Sequence, residues 1–149
     1  MSKTTVRLGD GYQTTITAGN HTFHADEPEQ DGGTDTAPTP MQMLLGALGS
    51  CMAITARMYA ERKGWPLEEV EVALDIERFR GSEYAGYAGD ANFVHEVRDQ
   101  IIFRGPLSDE QRERLLEIAG RCPVHRAIEN PTFFVDEMLN AEAEALTAE

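Results

Sequence analysis

Cysteine is scarce in this chain, with two in 149 residues. That excludes a disulfide-stapled secreted scaffold, and both thiols are expected to be reduced at rest. Positive charge is scarce as well. Thirteen Lys and Arg face twenty-six Asp and Glu, a formal charge of -13, which repels phosphate backbones and anionic lipid, so neither a nucleic acid nor a membrane surface is an expected partner. The amino terminus, MSKTTVRLGDG, lacks the apolar core of a signal peptide, and a cytoplasmic protein is expected. No phosphate-cradling glycine loop, GxSxG elbow or dinucleotide fingerprint occurs, and no spacing of the many carboxylates singles out a catalytic pair.

One stretch could be mistaken for a membrane span, Met41 to Ala56, which is free of charge. It falls short of the about 20 apolar residues that cross a bilayer, and Arg57, Glu61, Arg62 and Lys63 close it off, so it reads as a buried helix. Apolar residues at Met41, Leu44, Leu45, Leu48, Met52, Met58 and Tyr59 keep helical spacing, while Met43, Ala47 and Ile54 carry the apolar surface round the other side. A helix apolar nearly all round must be covered nearly all round. A sheet on one side and a second subunit on the other would do so, which predicts a homodimer. Pro38 and Pro40 suit the helix start, and Gly64 and Pro66 its end.

The remaining composition, 41% hydrophobic and 26% charged, is that of an ordinary globular protein, and residues 1–149 are expected to form one domain. Thr14 to Ala18 and His21 to Asp26 alternate around Gly19-Asn20 and predict a hairpin. Residues 27–40 form a polar loop. Val70, Val72, Leu74 and Ile76 alternate with polar neighbours, and Phe93 to Phe103 does the same after a glycine-rich loop, which predicts a second hairpin. Ser108 as cap, Gln111 at the third position and the stripe Leu115, Leu116, Ile118 mark a helix that ends at Gly120. Cys122 and Pro123 open a further short helix, Phe133 to Val135 predict a last strand, and residues 139–149 form an acidic tail. Strands, central helix, strands, helices and strand make an α+β fold with antiparallel sheets.

By spacing alone Cys51 reads as a small core hydrophobe. Cys122 has the better physical case for reactivity, since a thiol at a helix amino terminus meets unpaired N–H groups and the positive end of the helix dipole, with Arg121 and Arg126 adding charge. A purely structural cap remains open for it. Cys122 and His125 have metal-ligand spacing, but zinc wants a second local pair. His21 and His24 on one strand would point to opposite faces, so no metal and no cofactor is expected.

The segments HTFHADEP, GGTDTAPTPMQMLLGALGSCMAITARMYAERKGW, EVEVALDIER and LSDEQRERLLEIAGRCPVHRAIE, in that order, resemble the OsmC/Ohr family of osmotically induced and organic hydroperoxide resistance proteins, and more closely its OsmC-like branch. The resemblance implies an OsmC-like fold: an intertwined homodimer, with sheets wrapped around long central helices and the site at the interface. It also implies a thiol-dependent peroxidase in which Cys51 attacks an organic hydroperoxide and becomes a sulfenic acid. Cys122 then closes a disulfide with it, and a dithiol reductant restores both thiols. One departure stands out. Well-studied members carry a glutamate ten residues before the reactive cysteine, paired with an arginine from the first strands; here that position is Met41, with Gln42 beside it and Arg7 as the candidate arginine. The alternative is an OsmC-like dimer that binds a small apolar ligand or electrophile at the interface without peroxidase turnover.

Overall fold

The computed structural model describes residues 3–139, in which helices and antiparallel sheets combine as an α+β fold. The chain divides into two compact units, Met1–Leu44 with Phe133–Glu149 and Leu45–Thr132.

The first unit is built on a three-stranded antiparallel meander of β1 (Thr4–Leu8), β2 (Thr14–Ala18) and β3 (His21–Ala25). Gly19 takes the left-handed conformation the tight turn requires (φ 58°), and Ile16 pairs with Phe23 across the expected hairpin. Immediately after β3, Asp26 is buried, and its carboxylate accepts five hydrogen bonds: from the main-chain N–H of Glu27, Thr34 and Thr36 and from the hydroxyls of Thr34 and Thr36. The expected polar loop is therefore wound around one anion rather than splayed in solvent, with a single 3₁₀ turn at Glu29–Asp31. Its far end is tied too, since the Asp26 N–H donates to the Pro38 carbonyl at 3.1 Å. Gly33 passes so near that an added Cβ would lie 1.9 Å from the Glu27 carbonyl oxygen.

Helix α1 (Pro40–Lys63) crosses from one unit to the other. At 24 residues it is longer than the charge-free run, and by length and a mean hydropathy of 1.3 over its most apolar window it could cross a membrane. Its assignment as a core helix rests on packing. Leu48, Met52, Ala56 and Ala60, one every fourth residue, form a fully buried line. Beyond α1, the 12-residue strands β4 (Glu69–Arg80) and β5 (Phe93–Arg104) pair from Glu69–Arg104 to Arg80–Phe93. Val70, Val72, Leu74 and Ile76 face inward, alternating with exposed neighbours. Gly49 lets α1 lie close on this hairpin, because a Cβ there would come within 2.6 Å of Leu74 Cδ1.

Helix α2 (Asp109–Ala119) carries the expected reciprocal cap between Ser108 and Gln111, and α3 (Pro123–Glu129) follows with Cys122 as its cap. The buried positions of α2 are Leu115 and Ala119; Leu116, placed in the apolar stripe by sequence, faces outward at 52% exposure. The hundred-degree step between adjacent helical residues allows only one of the two leucines to point at α1. Tyr59 of α1 stacks edge-on against Trp65 and its hydroxyl accepts from Arg114 Nε at 3.2 Å, linking α1 to α2. The expected last strand is absent. Phe133, Phe134 and Val135 are 89%, 82% and 98% exposed and pair with neither sheet, because aromatic and β-branched residues favour a strand only where an edge and a half-buried surface receive them. The acidic tail lies, beyond Leu139, outside the described residues.

Two outcomes are expected. Leu115→Ala should lower the urea-unfolding free energy by about 2–5 kcal/mol, since the side chain is completely enclosed. The bonds to Asp26, led by the Thr34 hydroxyl and only partly opposed by burial, hold its carboxyl well below the ordinary carboxylate range. Its ionised form therefore stabilises the fold above the unfolded value of about 3.9, and that contribution fades as pH falls below it. Asp26→Asn, which sets an amide donor among donors, should lower the melting temperature at pH 7, with a loss that shrinks only gradually below pH 4 and is clearly smaller at pH 2; an equal loss at pH 7 and pH 2 would show that charge is not the source.

Candidate active site

Cys51 sits one residue before Met52 on α1, half-buried and packed on the core that includes Leu48, Met52 and Leu115. Cys122 arrives from the other end of the second unit and is completely buried. Gly120 ends α2, the chain turns, and Pro123 supplies a first helical residue with no N–H to satisfy. Cys122 thereby becomes the amino-terminal cap of α3, and its Sγ accepts a hydrogen bond from the His125 main-chain N–H at 3.3 Å.

Neither thiol is in a disulfide, and both belong to one core, Cys122 inside it and Cys51 packed against it. Burial, the largest effect, pushes the Cys122 thiol up; the His125 N–H draws it down, and the neighbouring Cys51 thiol raises it again. The helix start that the sequence suggested would favour the thiolate is outweighed by desolvation. Cys122 rests as a protonated thiol.

The other sequence-derived candidates lie in the first unit. Arg7 is on β1, exposed, paired in register with Thr15. Met41 is 45% exposed in the first turn of α1. Gln42 is committed to starting the helix. Its Oε1 accepts from the Thr39 N–H at 2.9 Å, and its own N–H donates to Thr39 Oγ1 at 3.2 Å. The Thr-x-x-Gln spacing of a capping box was the available signal for that role. Sequence reasoning also missed Asp26, whose donors lie eight and ten residues away. His24 is engaged with the meander, its Nδ1 lying 3.2 Å from the Thr14 carbonyl oxygen. Among the described residues, no cluster of three or more His, Cys, Asp or Glu could hold a metal ion.

An open groove of about 440 Å³ runs between α1 and β4, lined by Gly46, Gly49, Ser50 and Ala53 opposite Val70, Val72 and Leu74. Its walls are mixed, polar as well as apolar.

The family model described as OsmC-like protein matches residues 33–135, a span that takes in both cysteines and the whole second unit. The chain belongs to the OsmC-like protein family. Its fold is that of a Psychrobacter arcticus protein named for an osmotic stress induced and detoxification response (20% identical, 87% of this chain and 89% of that chain covered, TM-score 0.69). It is likewise that of the organic hydroperoxide resistance protein OsmC of Legionella pneumophila (19% identical, 87% and 89% covered, TM-score 0.63). The organic hydroperoxide resistance protein OhrB of Bacillus subtilis shares it as well (19% identical, 87% and 90% covered, TM-score 0.60). No curated protein matches the chain.

The unequal burial of the two thiols in this OsmC-like protein has a direct chemical expression. With limiting iodoacetamide at neutral pH, peptide mapping should find Cys51 alkylated well ahead of Cys122, because the reagent must reach the sulfur and find it as thiolate. Equal labelling would show that the buried thiol is open to solvent.

Proposed function

We propose that this OsmC-like protein is a two-cysteine, thiol-dependent peroxidase that reduces organic hydroperoxides. The observation that carries the reading is the juxtaposition of two reduced thiols of unlike environment, one half-buried on α1 and one enclosed at the cap of α3.

In this reading the Cys51 thiolate attacks the peroxide. An S–O bond forms, the O–O bond breaks, and the alcohol leaves with a proton. The resulting Cys51 sulfenic acid is attacked by Cys122, which forms the S–S bond and releases water; a dithiol reductant then returns both thiols by exchange. Burial suits Cys122 to the second step, since it stays a thiol until the sulfenic acid is made beside it. The relatives named for organic hydroperoxide resistance support the substrate class. A cytoplasmic setting, where dithiol reductants operate, fits this chemistry.

The working unit we propose is one OsmC-like domain, assembled as an intertwined homodimer. Met41, Leu44, Ile54 and Met58 of α1 stand 45%, 40%, 58% and 64% exposed in the single chain, an apolar surface that a second subunit would cover.

A second reading is favoured by Met41. It can supply no charge to a thiol, and the groove beside Ser50 presents the aliphatic side chains of Val70, Val72 and Leu74, so a small apolar ligand or electrophile could be held there without turnover. Intact mass after one equivalent of cumene hydroperoxide separates the two. The peroxidase loses two protons as Cys51 and Cys122 join; Cys122→Ser stops at a sulfenic acid and Cys51→Ser does not react. Both thiols untouched under conditions that fully oxidise a known peroxidase would leave the binding reading.

A further inference from the structure

Closing the disulfide requires the Cys122 thiol to give up its proton inside the protein. The Cys122 S–H and Cys51 S–OH bonds break, the S–S bond forms, and proton and hydroxide leave as water. Burial holds that proton on sulfur, so a nearby acceptor would decide the rate of the step.

The surroundings of Cys122 narrow the choice. Arg121 is paired with Glu117, Arg126 is exposed, and neither guanidinium can accept a proton. His125 is the base nearest in sequence, three residues after the cap, where side chains on a first helical turn become neighbours of the capping residue. Its main-chain N–H already holds the Cys122 sulfur. Its ring nitrogen Nδ1 is buried without a hydrogen-bond partner. The Glu129 carboxylate stands 3.7 Å from that nitrogen, too far for a hydrogen bond yet placed to pair with the ring once protonated. An imidazole with an unused buried nitrogen and a waiting counter-ion is equipped to take a proton and pass it to the departing hydroxide.

We propose that His125, backed by Glu129, accepts the proton of Cys122 during disulfide closure. The assignment rests on the two-cysteine peroxidase reading for its biological meaning, but the proton transfer belongs to the thiol pair and can be driven without peroxide. Glu129 stands closest to the ring on α3, and Cys122 lies at the cap that the His125 main chain closes.

The test follows closure by rapid alkylation and mass in wild type, His125→Asn and Glu129→Gln. One series uses one equivalent of cumene hydroperoxide, the other diamide, whose N=N bond takes up the two thiol hydrogens, at a concentration where the rate has become independent of it. His125→Asn keeps the main-chain cap but removes the base. In the diamide series it should slow closure by at least about tenfold, and Glu129→Gln should slow it less. In the peroxide series the Cys51 sulfenic acid should accumulate while peroxide consumption in the first step is unchanged. Closure of His125→Asn at the wild-type rate with diamide overturns the proposal, as does an equal slowing of the first step. If wild type closes with diamide but ignores peroxide, the peroxidase reading fails, and the diamide comparison alone decides the role of His125.

Discussion

The packing of α1 on the core is the constraint from which the rest follows. Its buried line of Leu48, Met52, Ala56 and Ala60 shrinks from large to small along the helix, and Gly49 lets the same helix press on β4. Small residues allow close approach, and close approach fixes orientation. Because the line is set at every fourth residue, Cys51 lands at its edge, between the enclosed face and solvent. A rotation of one residue would either seal the thiol inside or turn it fully outward. The reactivity proposed for it depends on that angular position before any neighbouring charge is considered.

Cys122 is governed by a competition that the fold settles in one direction. A helix start attracts negative charge, and the His125 N–H is aimed at the sulfur. Yet α3 is only seven residues long and has no fully buried residue, whereas the thiol itself is wholly enclosed. Desolvation wins. One fold thereby holds two chemically identical groups apart in character, which a sequential oxidation needs: the first thiol must meet a peroxide, and the second must wait.

Much of this was legible in the sequence because much of it is local. Gly19-Asn20 announced a turn, alternation over Val70 to Ile76 announced a half-buried strand, and Ser108 with Gln111 announced a capped helix, each through contacts a few residues apart. The pairing of Cys51 with Cys122 could be expected only from family resemblance, since nothing within either segment mentions the other. Asp26 was overlooked because its partners, Thr34 and Thr36, look like ordinary loop threonines until the chain curls around the carboxylate. Phe133 to Val135 misled for the opposite reason: the local preference was read correctly, but a strand needs a neighbour, and the edges of both sheets leave these residues exposed.

The β4–β5 hairpin sets an order of assembly. Its twenty-four residues pair with one another across a single connection and can zip up early, at little cost in loop closure. The two cysteines flank it in the chain, one before β4 and one after α2. The two thiols can therefore meet only once the elements on both sides of the hairpin are in place. A partly unfolded molecule with an intact hairpin would carry two separated thiols, harmless to each other and open to mixed disulfides with whatever the cell supplies. The redox chemistry proposed for this protein is in this sense a property of the completed fold, withheld until folding is finished.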